Sequence, residues 1–218
     1  MKTLITFEGI DGSGKTTLLG LVSKKLQEAG VDTVATSCPY GTDTGKRLHD
    51  VVTSATPGAI PAVVQSLIYA AALKSITDEV IQPALSSNKC VLCDRYWDSS
   101  VVYQGYIGGA NIDKLIQFNY QFYWATEISL TFLLDIPVET AIERIQNRDR
   151  AFNGASQGVL FRQLAKARQG YLELAKVYKR YRVISTDRTE SQILNEIYGQ
   201  LEEYFIMEKN RERQKLHF

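Results

Sequence analysis

Five short runs in the 218-residue chain are almost continuously apolar or β-branched, at 3–8, 31–36, 89–93, 128–135 and 181–185. A run such as Leu130-Thr131-Phe132-Leu133-Leu134 has no polar alternation, which is the pattern of a strand buried on both faces of a parallel sheet. Between the runs, apolar residues recur at helical spacing, as from Thr17 through Leu26 before Gly30, and again from Ile60 to Leu85. Strand and helix alternating five times predict a three-layer α/β fold with a doubly wound, parallel five-stranded sheet. Ligands in such sheets sit at the carboxyl ends of the strands, so the residues after each strand are the first place to look for chemistry.

The first of these positions holds Gly9-Ile10-Asp11-Gly12-Ser13-Gly14-Lys15-Thr16, a complete G-x-x-x-x-G-K-[ST] loop between a strand and a helix. In that context Gly9, Gly12 and Gly14 let backbone N–H groups converge on a polyphosphate, with Ser13 and Thr17 completing the cradle. The following helix adds the positive end of its dipole. Lys15 is placed to reach the β- and γ-phosphates of a nucleoside triphosphate and Thr16 to ligate Mg²⁺. The second strand leads to Ser37-Cys38-Pro39-Tyr40, the third to Asp94-Arg95-Tyr96 and the fourth to Asp135-Ile136-Pro137. An acid closing an apolar strand in a chain with this loop is suited to hold Mg²⁺, usually through water, which selects Asp94 beside Thr16. Arg95 offers a planar fork for phosphate oxygens.

Composition narrows the partners. Lys and Arg total 25 against 24 Asp and Glu, a net charge of +1, and 44% of residues are hydrophobic. That balance argues against a broad basic surface for long nucleic acid. No apolar run approaches the eighteen residues of a membrane span, and the N-terminus runs into the first strand with no room for a signal peptide, so a cytoplasmic protein is expected. Cys38, Cys90 and Cys93 read as reduced thiols; the C-x-x-C pair lies in a strand, where residues three apart face opposite ways. One domain is expected over 1–207, with a charged, helical tail at 208–218.

The segments Phe7-Glu8-Gly9-Ile10-Asp11-Gly12-Ser13-Gly14-Lys15-Thr16-Thr17, then Asp94-Arg95-Tyr96 with Ser99-Ser100 and Tyr103-Gln104-Gly105, then Gly170-Tyr171-Leu172-Glu173-Leu174-Ala175, together resemble thymidylate kinases. The resemblance covers the first strand to about residue 200. It implies a P-loop nucleoside monophosphate kinase fold, ATP with Mg²⁺ as phosphoryl donor, dTMP as acceptor with dTDP as product, and a homodimer. It further implies that Asp11 faces the sugar and acceptor phosphate, and that Arg95 bridges acceptor and transferred groups. Tyr69 would stack on the base, Tyr103 would crowd the sugar 2′ position, and Ser100 and Gln104 would lie near the base edge. Read alone, Tyr69 fits a core aromatic of the 60–85 helix better, and only the resemblance makes it the stacking ring.

Phosphoryl transfer needs positive charge around the migrating group, and this phosphate loop carries no arginine. Arg144, Arg148 and Arg150 precede a polar stretch between two helical patterns, which places a closing lid at about 148–158 and makes Arg148 and Arg150 catalytic candidates. The chain also departs from the family. Leu73 stands where relatives carry an arginine that reads thymine O4, and Ser37 and Cys38 replace the charged residues before the family proline, leaving Tyr40 as the phosphate contact. Leu73 keeps open a kinase for dUMP or UMP. A GTP switch is disfavoured because the sole Asn-Lys, Asn88-Lys89, is followed by Cys90-Val91 and not by x-Asp. A non-catalytic nucleotide-binding module is disfavoured by intact Lys15, Thr16, Asp94 and Arg95.

Overall fold

A computed structural model describes residues 2–123, 126–148 and 157–215. Its centre is a five-stranded sheet of β1 (Thr3–Glu8), β2 (Thr33–Ser37), β3 (Cys90–Asp94), β4 (Leu130–Asp135) and β5 (Tyr181–Ser185). The strand order is β2-β3-β1-β4-β5 and every pairing is parallel. The register sets Phe7 opposite Asp94, and Asp94 opposite Ser37, so three chain segments leave the sheet at one level.

Helices cover both faces. The helices before the third strand are α1 (Lys15–Glu28), α2 (Asp43–Thr53), α3 (Ala62–Ile76) and α4 (Gln82–Ser86). Those after it are α5 (Trp97–Ser100), α6 (Ile112–Tyr123), α7 (Val138–Arg148), α8 (Gln157–Val177) and α9 (Glu190–Lys215). Strand residues alternate between two cores, as period-two geometry requires. Ile5, Phe7, Leu92 and Phe132 pack with Leu19 and Val22 of α1 and Ile197 and Leu201 of α9. On the other face Leu4, Val91 and Cys93 pack with Ile76 and Leu85, while Leu133 packs with Leu164 and Tyr171 of α8. Cys90 and Cys93 fall on opposite faces, both buried, as the strand reading expects.

The structure corrects the predicted strand edges. β2 begins two residues later than expected because Val31 N–H bonds Leu26 O at 2.9 Å and Gly30 sits at φ 79°, so this stretch closes α1 and is not sheet. Residues 60–85 are not one regular helix. Thr77–Ile81 is π-helical between α3 and α4, and Val101–Ile107 is π-helical after α5. The segment from Glu208 starts no new element: α9 continues through it to Lys215, anchored by the stripe Ile193, Ile197, Leu201 and Phe205. Arg150 and most of the expected lid lie outside the described residues, as do 216–218. Among the described residues no helix is long and apolar enough to cross a membrane.

Candidate functional site

A cavity of about 1120 Å³ opens at the carboxyl ends of β1, β2 and β3, where the strand-end rule places a ligand. Its floor is the loop from Asp11 to Thr17, which Gly9 and Ile10 lead into from β1 without lining the cavity. Gly9 has φ 144°, and a Cβ there would lie 2.6 Å from the Leu134 carbonyl oxygen; Gly12, at φ 84°, would meet Ala141 O at 2.6 Å. The loop is therefore pressed against β4 and α7, and only glycine fits at those two places. Gly14 caps α1, Ser13 is buried with no protein partner for its hydroxyl, and Thr17 faces the cavity.

Lys15 is 7% exposed, and its ammonium donates to the carbonyls of Gly9 at 3.0 Å and Ile10 at 2.9 Å. Burial pushes its pKa down to about 8. The nearby Arg95 charge acts in the same direction, against Asp11, Asp94 and Glu8. Thr16 Oγ1 donates to Asp94 Oδ2 at 2.6 Å, so two oxygen ligand groups that lie 78 residues apart in sequence meet at the loop's mouth. Hard oxygen donors of this kind suit Mg²⁺, which takes one or two protein ligands and keeps its remaining positions for water and phosphate.

Arg95 joins the two sides of the cleft. One guanidinium nitrogen donates to Asp11 Oδ1 at 2.6 Å and to the Tyr103 hydroxyl at 3.3 Å. The other donates to Gly9 O at 3.2 Å, Ser99 Oγ at 3.2 Å and Tyr171 OH at 3.0 Å. Burial pushes the Asp11 carboxyl up, but Arg95 and then Lys15 and Arg148 outweigh it and hold the net pKa below the ordinary carboxylate range. Arg148 is thus close enough for its charge to be felt at Asp11, and it lines the cavity. Arg144, one turn earlier on α7, donates to Gly12 O at 3.4 Å and Thr186 O at 3.0 Å, tying the phosphate loop to the segment after β5.

The opposite wall is aromatic. Tyr40 OH bonds His49 Nε2 at 2.8 Å, and His49 Nδ1 bonds Tyr69 OH at 3.2 Å, making a three-ring chain from the β2 loop across α2 to α3. Tyr40 is 53% exposed, whereas burial pushes the half-buried Tyr69 phenol up to about 12. Leu73 borders the cavity but is only 2% exposed and belongs to the core with Ile76, Cys93 and Tyr96. Ser100, Tyr103 and Gln104 line the same end. The last two ride on the π-helical segment, whose extra residue per turn displaces side chains from regular helical spacing.

The cavity thus collects the expected Gly12–Thr17 loop, Asp11, Tyr40, Tyr69, Leu73, Asp94, Arg95, Arg148, Ser100, Tyr103 and Gln104. It also holds His49 and Asn119, which sequence reasoning missed because a lone polar residue on an amphipathic helix gives no signal. Asp135, a strand-end acid, is instead structural: it forms a two-pronged ion pair with Arg168 of α8, at 2.6 and 2.9 Å. Asp98 was also unforeseen. It is wholly buried, accepting from Arg180 at 2.6 Å and Tyr181 OH at 2.8 Å, and so pins α5 to β5.

Comparison with known proteins agrees with this geometry. The sequence profile of the family described as thymidylate kinase matches residues 7–197. The chain is 37% identical over 202 residues to a thymidylate kinase of Pelotomaculum thermopropionicum, covering 91% of this chain and 92% of that one. It is 35% identical over 216 residues to one from Geotalea daltonii, covering 92% and 99%. Among solved structures, thymidylate kinase from Ehrlichia chaffeensis superposes with a TM-score of 0.74 at 28% identity, over 92% of this chain and 98% of that one. A family match over most of the length, with the phosphate loop, the Asp94-Arg95 pair and the parallel sheet in place, means that the chain belongs to the thymidylate kinase family.

Proposed function

We propose that this protein transfers the γ-phosphoryl group of ATP to dTMP, giving dTDP and ADP. The observation that carries the reading is Arg95, which holds Asp11 and the Gly9 carbonyl on the phosphate-loop side and Tyr103 on the other with one guanidinium. A group in that place spans the gap between a donor on the loop and an acceptor against the aromatic wall.

The ATP phosphates lie on the N–H groups of Gly12 to Thr17, where Lys15 gives up its two carbonyl partners for phosphate oxygens. An acceptor phosphate oxygen is already anionic and attacks the γ-phosphorus without a base; the bond to the β-phosphate oxygen breaks and ADP leaves. The protein's part is therefore alignment and charge. Lys15, Arg95 and the α1 N-terminus neutralise the charge that spreads over the migrating group, with Arg148 at the cleft edge and, by sequence, Arg150 beyond it. Thr16 and Asp94 would hold Mg²⁺, which would supply positive charge that offsets the charge of the phosphates. Asp11 steers the sugar and acceptor phosphate, with Tyr40 as a further phosphate contact. Tyr69 supplies the stacking face, and Tyr103 disfavours a 2′-hydroxyl.

At the base end Leu73 has no donor, so the polar edge of thymine falls to Gln104 and Ser100. The relatives named above are thymidylate kinases and lend no support to UMP or dUMP as the preferred acceptor. We further propose a cytoplasmic homodimer of one kinase unit over 1–207. Val51 of α2 and Val63, Val64 and Leu67 of α3 are each exposed, on two helices that pack together, and would be covered in such a pair. The test is a coupled assay of ATP with dTMP, dUMP, UMP, dCMP and dGMP, for wild type and Arg95→Ala. The expected result is the highest kcat/KM on dTMP and a large loss in the variant. A purine or cytosine monophosphate as best acceptor, or an Arg95→Ala protein of normal turnover, would overturn the reading.

A further inference from the structure

Behind Arg95 lies a buried carboxylate with no part in the chemistry above. Glu8 ends β1 and is 0% exposed, and burial pushes its carboxyl up to about 7, with Asp98 adding and Arg95 opposing. It makes no direct ion pair with Arg95. Its Oε1 accepts from the Tyr96 backbone N–H at 2.7 Å and its Oε2 from Ser99 Oγ at 2.7 Å. Ser99 Oγ in turn lies 2.8 Å from Tyr171 OH, and both hydroxyls lie within 3.2 Å of the same Arg95 nitrogen.

The directions of these bonds follow from the ends. A guanidinium only donates, and Glu8 in its ionised form, favoured above about pH 7, only accepts. Ser99 has a single proton, given to Glu8, so its oxygen accepts from Arg95 and Tyr171. Tyr171 then spends its proton on Ser99 and accepts from Arg95. With the two protons of that Arg95 nitrogen shared among Gly9 O, Ser99 Oγ and Tyr171 OH, the chain runs from Arg95 through Tyr171 and Ser99 to Glu8. The backbone is held by the same carboxylate. Arg95 adopts φ 67°, a left-handed conformation disfavoured for a side chain of this size, and the residue immediately after it is the one whose N–H Glu8 accepts.

We propose that Glu8 is a positioning residue for phosphoryl transfer, its carboxylate fixing through Ser99, Tyr171 and the Tyr96 amide both the backbone and the aim of the Arg95 guanidinium. The proposal rests on the reading of Arg95 given above. Glu8→Gln tests it because the amide is isosteric but carries a donor. If its carbonyl faces Tyr96 N–H, its NH₂ faces Ser99, whose proton must then turn to Tyr171 and drive that hydroxyl's proton against Arg95. If its carbonyl faces Ser99, the NH₂ meets the Tyr96 N–H. Neither choice restores the chain.

The experiment is a double-mutant cycle of Glu8→Gln with Arg95→Ala, measuring kcat and KM for ATP and dTMP on folded protein. Glu8→Gln is expected to lower kcat roughly tenfold to a hundredfold, since a small misplacement of a transition-state contact has that effect, and to lower it no further once Arg95 is alanine. Equal factors in both backgrounds, or an unchanged kcat for Glu8→Gln, would overturn the proposal and leave the role of Arg95 intact. Normal turnover by Arg95→Ala would overturn both. Should Glu8→Gln fail to fold, Tyr171→Phe and Ser99→Ala enter the same cycle, with the same non-additivity expected and additivity overturning the inference.

Discussion

The two walls of the cleft are built by different rules. On the phosphate-loop wall, one short stretch binds its own buried backbone and a strand-end acid: Lys15 donates to the carbonyls of Gly9 and Ile10, and Thr16 to Asp94 at the end of β3. On the aromatic wall, Tyr40, His49 and Tyr69 come from three separate elements and sit half in solvent, joined by two hydrogen bonds. The first wall is preorganised around a buried Lys15, and in the proposed reading its charges act on the transition state. In the same reading the second is a surface for a flat ring, with contacts made equally in ground state and transition state. Substitutions on the first should therefore appear in kcat, and on the second in KM.

The largest expected effect is at Lys15. Lys15→Met should lower kcat by roughly a hundredfold to a thousandfold, as removal of one preorganised donor does, while thermal unfolding shows a retained fold. The same side chain makes the wall pH-sensitive. With its pKa pushed down to about 8, Lys15 keeps its charge below that pH and loses it above, so kcat/KM for ATP should fall as pH rises through about 8. The limb should vanish in Lys15→Met. Near-normal turnover in the variant, or a flat alkaline profile in the wild type, would show that the lysine does not act as a charge.

Asp94→Asn ranks next. An amide oxygen still accepts from the Thr16 hydroxyl, so the local geometry should survive, but a neutral ligand holds hydrated Mg²⁺ less well. Expected are a kcat lower by roughly tenfold to a hundredfold and a higher Mg²⁺ requirement in a metal titration at saturating ATP. An unchanged Mg²⁺ requirement would remove Asp94 from the metal site and leave the loop to do that work alone.

The same contrast governs what could be read from the chain before its structure. The loop from Gly9 to Thr17 is local, and continuous apolar runs locate buried strands without tertiary knowledge, so the donor wall, the parallel sheet and the Asp94-Arg95 pair were legible. The aromatic wall was legible only in part. Tyr69 and Gln104 were selected by resemblance, but nothing in an amphipathic α2 marks His49 as a bridge between two tyrosines. Asp98 and Arg180 meet across 82 residues, and Glu8 stands next to the phosphate-loop motif yet its partners are the Tyr96 amide just past β3 and Ser99 of α5. Period counting also hides π-helical segments, because one added residue in a turn looks like a regular helix with a slightly wrong face. Leu73 shows the limit from the other side: a departure from the family at a base-facing position turns out to be a core residue that also borders the cavity.

The smallest expected effect is the one that best separates the walls. Tyr69→Phe keeps the ring that would stack on the base and removes only the hydroxyl that His49 Nδ1 meets at 3.2 Å. The lost bond is partly exposed and uncharged, worth about 0.5–1.5 kcal/mol, which corresponds to a rise in KM for dTMP of about twofold to tenfold. Since His49 also holds Tyr40, part of that loss should be shared: His49→Phe, which severs both bonds, should raise KM further, and adding Tyr69→Phe to it should do nothing more. In all three proteins kcat should stay within about twofold of wild type, because uniform binding leaves the chemical step untouched. A fall in kcat with KM unchanged would mean that the aromatic chain shapes the transition state, and the division between a charged catalytic wall and a binding wall would have to be abandoned.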